Sequence, residues 1–322
     1  MRARHTMVEG RGKAIPRISF LLTAAAVLVL SLAACETDGL EVDVPDTPKP
    51  ATASGEAPAE STSVRITLAT TDLGVGPNRL AFGLVDAQSG PIREADVLIS
   101  TFYLGGGQQE GPIQTARAVW RRWPIGQVGL YTANFDFDRA GAWGVAANYV
   151  DHLGSNVTVS AGIEVKPKTA TPAIGERPPA SVTKLAKDFE DIKDMTSDPE
   201  PDEELYDLTV AEGLEAGKPL VVAFSTPAFC RTATCGPQLD VIKELKDYYY
   251  RDVNFVHVEV YDRPAEIEGN LADAPLAQAM IDWALPTEPW TFVMDADGVV
   301  AAKFEAFATK DELEAALDSV LR

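Results

Sequence analysis

The chain has 322 residues, three cysteines, three histidines and a formal net charge of −20, with 28 Lys/Arg against 48 Asp/Glu. That acidity argues against nucleic acid as a partner and against charge-driven binding to anionic lipid, and its plain meaning is solubility. Only His152 and His257 lie beyond the N-terminal leader, which excludes a histidine-rich metal site, and there is no Gly-x-Ser-x-Gly, phosphate loop or His-Glu-x-x-His.

The leader comes first. Arg2, Arg4, Arg11, Lys13 and Arg17 precede an apolar stretch, Ile18–Leu30, that is too short and too poorly flanked for a spanning helix. Leu32-Ala33-Ala34-Cys35 follows it and resembles the bacterial lipobox. The resemblance implies cleavage before Cys35, a lipid anchor on its thiol and a place on the outer side of the cell membrane. An ordinary signal peptide with an incidental Cys35 is the alternative, and it exports the chain too. Loss of residues 1–34 would leave 23 basic and 47 acidic residues, a charge of −24. Outside the cytoplasm a disulfide persists. Residues 35–63, rich in Pro, Thr, Ala, Ser, Asp and Glu, are expected to be a disordered tether.

From 64 to 165 the pattern is that of strands: Val64–Ala69, Asn78–Asp86, Ala95–Leu104, Thr115–Trp123, Gly129–Phe137, Gly141–Val150 and Ser155–Val165. Leu80, Phe82 and Leu84 alternate with polar or small residues, and glycine- and proline-bearing turns separate the runs. About seven short strands in about 100 residues predict an all-β immunoglobulin-like sandwich. Gly129, Tyr131, Gly141 and Trp143 make this stretch similar to the YtkA-like family of exported sandwiches. Core filling by Tyr131 and Trp143 and a turn at Gly141 account for the same residues, and no chemistry attaches to them.

Residues 166–204 read as a linker, proline-rich to about 181 and ending in the acidic run Asp198–Glu204, expected as a solvated loop. Alternating α and β patterns follow over 205–322. A short helix is expected at Thr209–Ala216 and a buried strand at Pro219–Ser225. An amphipathic helix over Gln238–Arg251 carries Leu239, Ile242, Leu245 and Tyr249 on one stripe. Val253–Val260 is a strand, with His257 expected as a packed residue rather than a ligand. Ala274–Ala284 is a helix with Leu276, Met280 and Trp283 on its apolar face. Trp290–Met294 and Val299–Phe304 form a hairpin, and Asp311–Leu321 closes the chain, opened by Thr309 with Glu312 in a capping box.

This order resembles that of the thioredoxin fold, in its redoxin or TlpA-type branch. Val221-Val-Ala-Phe224 matches the strand that precedes the thioredoxin cysteines. Cys235-Gly236-Pro237 repeats three letters of Cys-Gly-Pro-Cys, with Gln238 in the fourth place, and Ile174–Pro179 resembles the redoxin lead-in. Pro289 stands where such proteins hold a cis-proline beside the active cysteine, so the resemblance assigns Pro289, and Trp290 beside it, to client binding. Packing of Trp290 as the first residue of a strand is the equal alternative.

With Cys35 lipidated, as the lipobox resemblance implies, the remaining cysteines are one pair, Cys230 and Cys235. Five residues of α-helix rise about 7.5 Å, whereas a disulfide needs Cα atoms within about 7 Å, so a bond between the two requires a loop or tight turn over 231–234. The helix should then start near Gly236–Pro237. A cysteine at a helix N-terminus meets unpaired N–H groups and the positive end of the dipole, which favours Cys235 as nucleophile and Cys230 as resolving thiol. The reverse stays open, because Cys230 lies one residue beyond the thioredoxin nucleophile position counted from Phe224, and Thr226–Cys230 has a faint likeness to the peroxiredoxin Thr-x-x-Cys. Three functions compete: a membrane-tethered thiol–disulfide oxidoreductase acting on protein clients with a separate redox partner and no cofactor or metal; a scaffold with a structural disulfide; and a Sco-like copper carrier.

Overall fold

A computed structural model of the chain describes residues 63–124, 126, 128–230 and 232–322. The leader, Cys35 and all of the tether but its last residue lie outside the described residues, as does Arg231. The described residues fall within one compact unit. Among them no helix is long and apolar enough to cross a membrane.

The N-terminal half is all β. Its strands are β1 (Val64–Leu68), β2 (Leu73–Gly74), β3 (Gly76–Asp86), β4 (Gly90–Ile92), β5 (Val97–Tyr103), β6 (Glu110–Arg122), β7 (Gly129–Phe137), β8 (Gly141–Val150) and β9 (Asn156–Lys166). They form one path, β1-β3-β7-β6-β5-β8-β9-β2, with β4 added on β3. The long strand β6 turns the corner: its earlier residues up to Ala118 pair with β5, and Val119–Arg122 pair with β7. The sheet therefore folds over, and β1 and β9, far apart along the path, touch. Period-two alternation sends Leu80, Phe82, Leu84, Tyr131, Phe135, Trp143 and Val145 into a single core between its inner faces. The four residues that carry the family resemblance have packing duties here. Tyr131 Oη accepts the Ala95 N–H at 2.9 Å, and the Trp143 indole donates to the Arg139 carbonyl at 3.1 Å. Gly141 has φ +129°, and a Cβ on Gly129 would lie 2.3 Å from the Arg121 carbonyl oxygen.

The C-terminal half contains α1 (Val210–Glu215), β10 (Leu220–Ser225), α2 (Cys235–Tyr249), β11 (Asn254–Glu259), α3 (Gln278–Asp282), β12 (Trp290–Met294), β13 (Val300–Glu305) and α4 (Lys310–Val320). The sheet order is β11-β10-β12-β13, with β10 parallel to β11 and the other neighbours antiparallel. Every residue of β10 is buried, as a central strand covered on both faces requires. Leu239, Ile242 and Leu245 of α2 and Leu313 and Leu317 of α4 pack with Val221, Ala223 and Val293 on one face. Val210 and Leu214 of α1 and Met280 and Trp283 of the α3 region pack with Val222, Phe224 and Phe292 on the other. This three-layer arrangement, with a helical crossover between parallel β10 and β11 and an antiparallel β12–β13 hairpin, is thioredoxin-like.

Two local expectations change. Helix α3 is shorter than the apolar spacing suggested, because the backbone of 275–277 pairs with the segment just after β11 instead: Asp262 N–H donates to Pro275 O and Ala277 N–H to Val260 O. Leu276 is consequently exposed, while Met280 and Trp283 stay in the core. The acidic run is not wholly solvated either. Asp198 is buried against Lys243 at 2.6 Å, and Asp202, Glu204 and Asp247 converge on the Lys246 ammonium, which occupies the place a bound cation would take.

The β sheet and the three-layer part share a polar seam. Arg79 of β3 inserts its guanidinium beside the start of α4, donating to Glu312 at 2.9 and 3.1 Å and to the carbonyls of Glu305 and Phe307 at 3.1 and 3.0 Å. Arg121 of β6 reaches Asp311 at 2.7 Å. Trp123 packs against the α2–α4 core, with its ring 6.3 Å from that of Phe307. Lys303 of β13 donates to the hydroxyls of Thr169 and Thr171, and burial pushes its ammonium down to about 8.

Candidate functional site

Strand β10 ends at Ser225, and the chain turns through Pro227–Phe229 before reaching Cys230. A second reversal follows: Ala233 N–H donates to Cys230 O, and Ala233 sits at φ +56°, a conformation that costs an L-residue about 1–2 kcal/mol. The reversal brings the Cys230 and Cys235 Cα atoms to 5.9 Å, and the two sulfurs form a disulfide. Residues 232–234 are non-helical, as bonding demands.

Cys235 is the first residue of α2, slightly earlier than expected, and Pro237 sits within the first turn, where its missing N–H would have had no helical acceptor. One of the free N–H groups of that turn, on Cys235, points at Cys230 Sγ at 3.3 Å, and the Thr232 hydroxyl lies 3.3 Å from the same sulfur. Cys235 itself is fully buried, whereas Cys230 is only half-buried. The more exposed cysteine of the pair, and the one whose sulfur accepts an N–H from the helix start, is therefore Cys230. Exposure points to Cys230 as the attacking thiol, whereas the helix position alone points to Cys235.

Gln238, in the place of the second thioredoxin cysteine, is also buried. Its Oε1 accepts the Ala308 N–H at 2.7 Å, and its Nε2 has no partner among the described residues. The amide joins the first turn of α2 to the loop between β13 and α4.

The Glu288–Pro289 peptide bond is cis, and the Pro289 carbonyl accepts the Ala306 N–H at 3.0 Å. Phe224 pairs with Trp290 in register, so the cysteine loop and the cis-proline turn leave the same end of adjacent strands. Trp290 belongs to the core: it is buried, stacks on Phe292 at 5.7 Å, and donates its indole N–H to the Thr287 hydroxyl. That corrects its assignment to client binding. The members of this turn that reach the surface are Pro286, Thr287 and Glu288.

Beneath the cysteine loop lies a buried polar cluster. The Tyr206 hydroxyl donates to His257 Nδ1 at 2.6 Å, and His257 Nε2 faces the Ser225 hydroxyl at 2.8 Å and the Ser225 carbonyl at 3.2 Å. Both ring nitrogens are thus taken by protein oxygens, and His257 does not present a third ligand beside the cysteines. Glu259 accepts the N–H and O–H of Ser197 at 2.7 Å each, and burial pushes its carboxyl up.

Burial also pushes His257 down to about 4. The unfolded chain, with an ordinary imidazole near 6.5, therefore binds more protons between these values. The stabilisation is complete above pH 6.5 and is lost as pH falls towards 4. Glu259, shifted the other way, contributes stability below its ordinary 4.5 that is lost as pH rises. The two are separated by a variant: between about pH 7.5 and about pH 5, wild type should lose about 2 kcal/mol more in urea unfolding than His257→Gln. Equal losses would contradict the burial of a neutral imidazole.

No known protein-family model matches the chain, and no curated protein matches it. Among solved structures, a protein described as the thiol:disulfide interchange protein DsbE from Chlorobium tepidum is 14% identical, with 47% of this chain and 100% of that one covered at a TM-score of 0.34. A thioredoxin-family thiol:disulfide interchange protein from Chlorobium tepidum TLS is 18% identical over 47% of this chain and 99% of its own, with a TM-score of 0.31. The PKD domain of an M14-like peptidase from Thermoplasmatales archaeon SCGC AB-540-F20 is 16% identical over 32% of this chain and 92% of its own, with a TM-score of 0.17. At such scores the fold rests on the strand order above.

Proposed function

We propose that the chain is an extracytoplasmic thiol–disulfide oxidoreductase acting on protein clients, held at the membrane by a lipid on Cys35. The observation that carries the reading is one disulfide with unequal ends: Cys230 half-exposed and Cys235 sealed at the start of α2, beside a cis-proline turn. In this reading the units are an immunoglobulin-like sandwich over 64–165, joined by 166–204 to a thioredoxin-like domain over 205–322.

In the reduced protein the Cys230 thiolate, stabilised by the Cys235 N–H and the Thr232 hydroxyl, attacks one sulfur of a client disulfide. A Cys230–client bond forms, the client disulfide breaks, and the other client sulfur leaves as a thiolate. The Cys235 thiolate then attacks Cys230 Sγ, closes the internal disulfide and releases the second client thiolate. Two electrons pass from the protein to the client. An external dithiol restores the pair by attacking Cys230 and following the same steps in reverse, and oxidation of a client dithiol is that reverse reaction. The client segment lies along Thr287 and Glu288, ahead of the buried Pro289, in the turn that leaves the same end of the sheet as the cysteine loop.

The direct test is exchange on a protein disulfide, such as insulin or oxidised unfolded ribonuclease, driven by a small dithiol. Acceleration over the dithiol alone is expected, and its absence on both clients would overturn the reading. Full burial of Cys235 favours a second reading, a structural disulfide without turnover, which the same assay separates.

A further inference from the structure

The mechanism above leaves the N-terminal β sheet without a task, yet that sheet reaches the client side of the site through one residue. Glu305, the last residue of β13, stands opposite Trp290 in register, and its carboxylate is buried. Among the described residues no lysine or arginine lies within ion-pair distance of it. Three donors satisfy it instead. The Thr71 N–H donates to Oε2 at 2.6 Å, the Thr71 hydroxyl to Oε1 at 2.6 Å, and the Thr287 hydroxyl to the same Oε1 at 2.8 Å. Thr71 belongs to the loop between β1 and β2, whereas Thr287 lies two residues before the cis-proline.

One carboxylate oxygen thus joins the β sheet to the turn that borders the disulfide. The segment after Glu305 strengthens the grip. Arg79 of β3 holds the Glu305 and Phe307 carbonyls, Ala306 N–H holds the Pro289 carbonyl, and Ala308 N–H holds Gln238 in the first turn of α2. Both walls of the site, the cis-proline turn and the start of α2, are therefore tied to a single stretch, 305–308, that the β sheet clasps.

We propose that Thr71 and Glu305 are positioning residues through which the β sheet holds the 287–289 turn in register for an extended client, so that the N-terminal half governs which protein disulfides the site accepts. The inference rests on the oxidoreductase reading. Its physical basis is that a client paired to backbone needs that backbone held to a fraction of an ångström, and a buried carboxylate that loses a donor moves or takes up water to replace it. A small disulfide reagent needs only the half-exposed Cys230 sulfur and does not use the turn.

The test uses the full chain with two oxidants, insulin and a small aromatic disulfide, together with hydrogen–deuterium exchange of the 285–289 segment. Thr71→Val and Glu305→Gln should each raise KM for insulin by about fivefold to tenfold, the loss expected for one net hydrogen bond. They should leave kcat and the small-reagent rate within about twofold and raise exchange in 285–289. Thr71→Ser, which keeps the hydroxyl, should restore the wild-type KM. Parallel losses on both oxidants, or an unchanged KM for insulin, would overturn the proposal, as would unchanged exchange in 285–289. Absence of turnover on insulin by the wild type, with exchange raised in Thr71→Val, would instead overturn the oxidoreductase reading and leave the junction standing.

Discussion

Replacing Cys230 by serine should abolish exchange, whereas Cys235→Ser should leave a protein that attacks a client once and stays bonded to it. The asymmetry follows from exposure. Of the two cysteines among the described residues, Cys230 is the more exposed, and Cys235 lies near enough to displace a client from it, with Cα atoms 5.9 Å apart. The first variant should lose at least about a hundredfold in rate, because no second thiolate can reach a client. The second should accumulate a mixed disulfide, visible as a mass shift on a non-reducing gel and released by a small dithiol. A trapped adduct in Cys230→Ser, with none in Cys235→Ser, would restore the opposite assignment.

Arg79→Met should cost about 3 kcal/mol or more in urea unfolding. The guanidinium and the Glu312 carboxylate are only 9% and 8% exposed, so removing the cation leaves a buried charge without its main partner. Two carbonyls, of Glu305 and Phe307, lose their donor in the same substitution. Arg121, 3.5 Å from the same Glu312, limits the loss but cannot replace the two carbonyl contacts. Arg79→Lys should recover little, since an ammonium does not present a planar fork to a carboxylate and two carbonyls at once. A loss under about 1 kcal/mol for Arg79→Met would mean that the seam contributes little to holding the two halves together.

Local pattern carried much of the fold. Alternation in Leu80-Ala-Phe-Gly-Leu84 and the unbroken apolar run of β10 are direct consequences of one-face and two-face burial, so both were legible. What the chain hid was decided by partners distant in sequence. Thr71 and Glu305 are separated by 234 positions and Arg79 and Glu312 by 233, and each reads alone as an ordinary polar surface residue. Gln238 read only as a missing cysteine, although its buried amide ties α2 to Ala308. Leu276 had helical spacing, but the backbone around it pairs with Val260 and Asp262, just after β11, instead. The arginine on an outward strand face and the threonine in a short loop before β2 are signals that become meaningful only once the seam is known.

The most direct test of the central claim is the reduction potential of the Cys230–Cys235 pair, set by equilibration with a glutathione buffer. A half-exposed cysteine whose sulfur accepts an N–H from a helix start should exchange readily and give a potential above about −300 mV. A value below that, with no exchange on the time scale of client turnover, would mark the bond as structural and contradict the account.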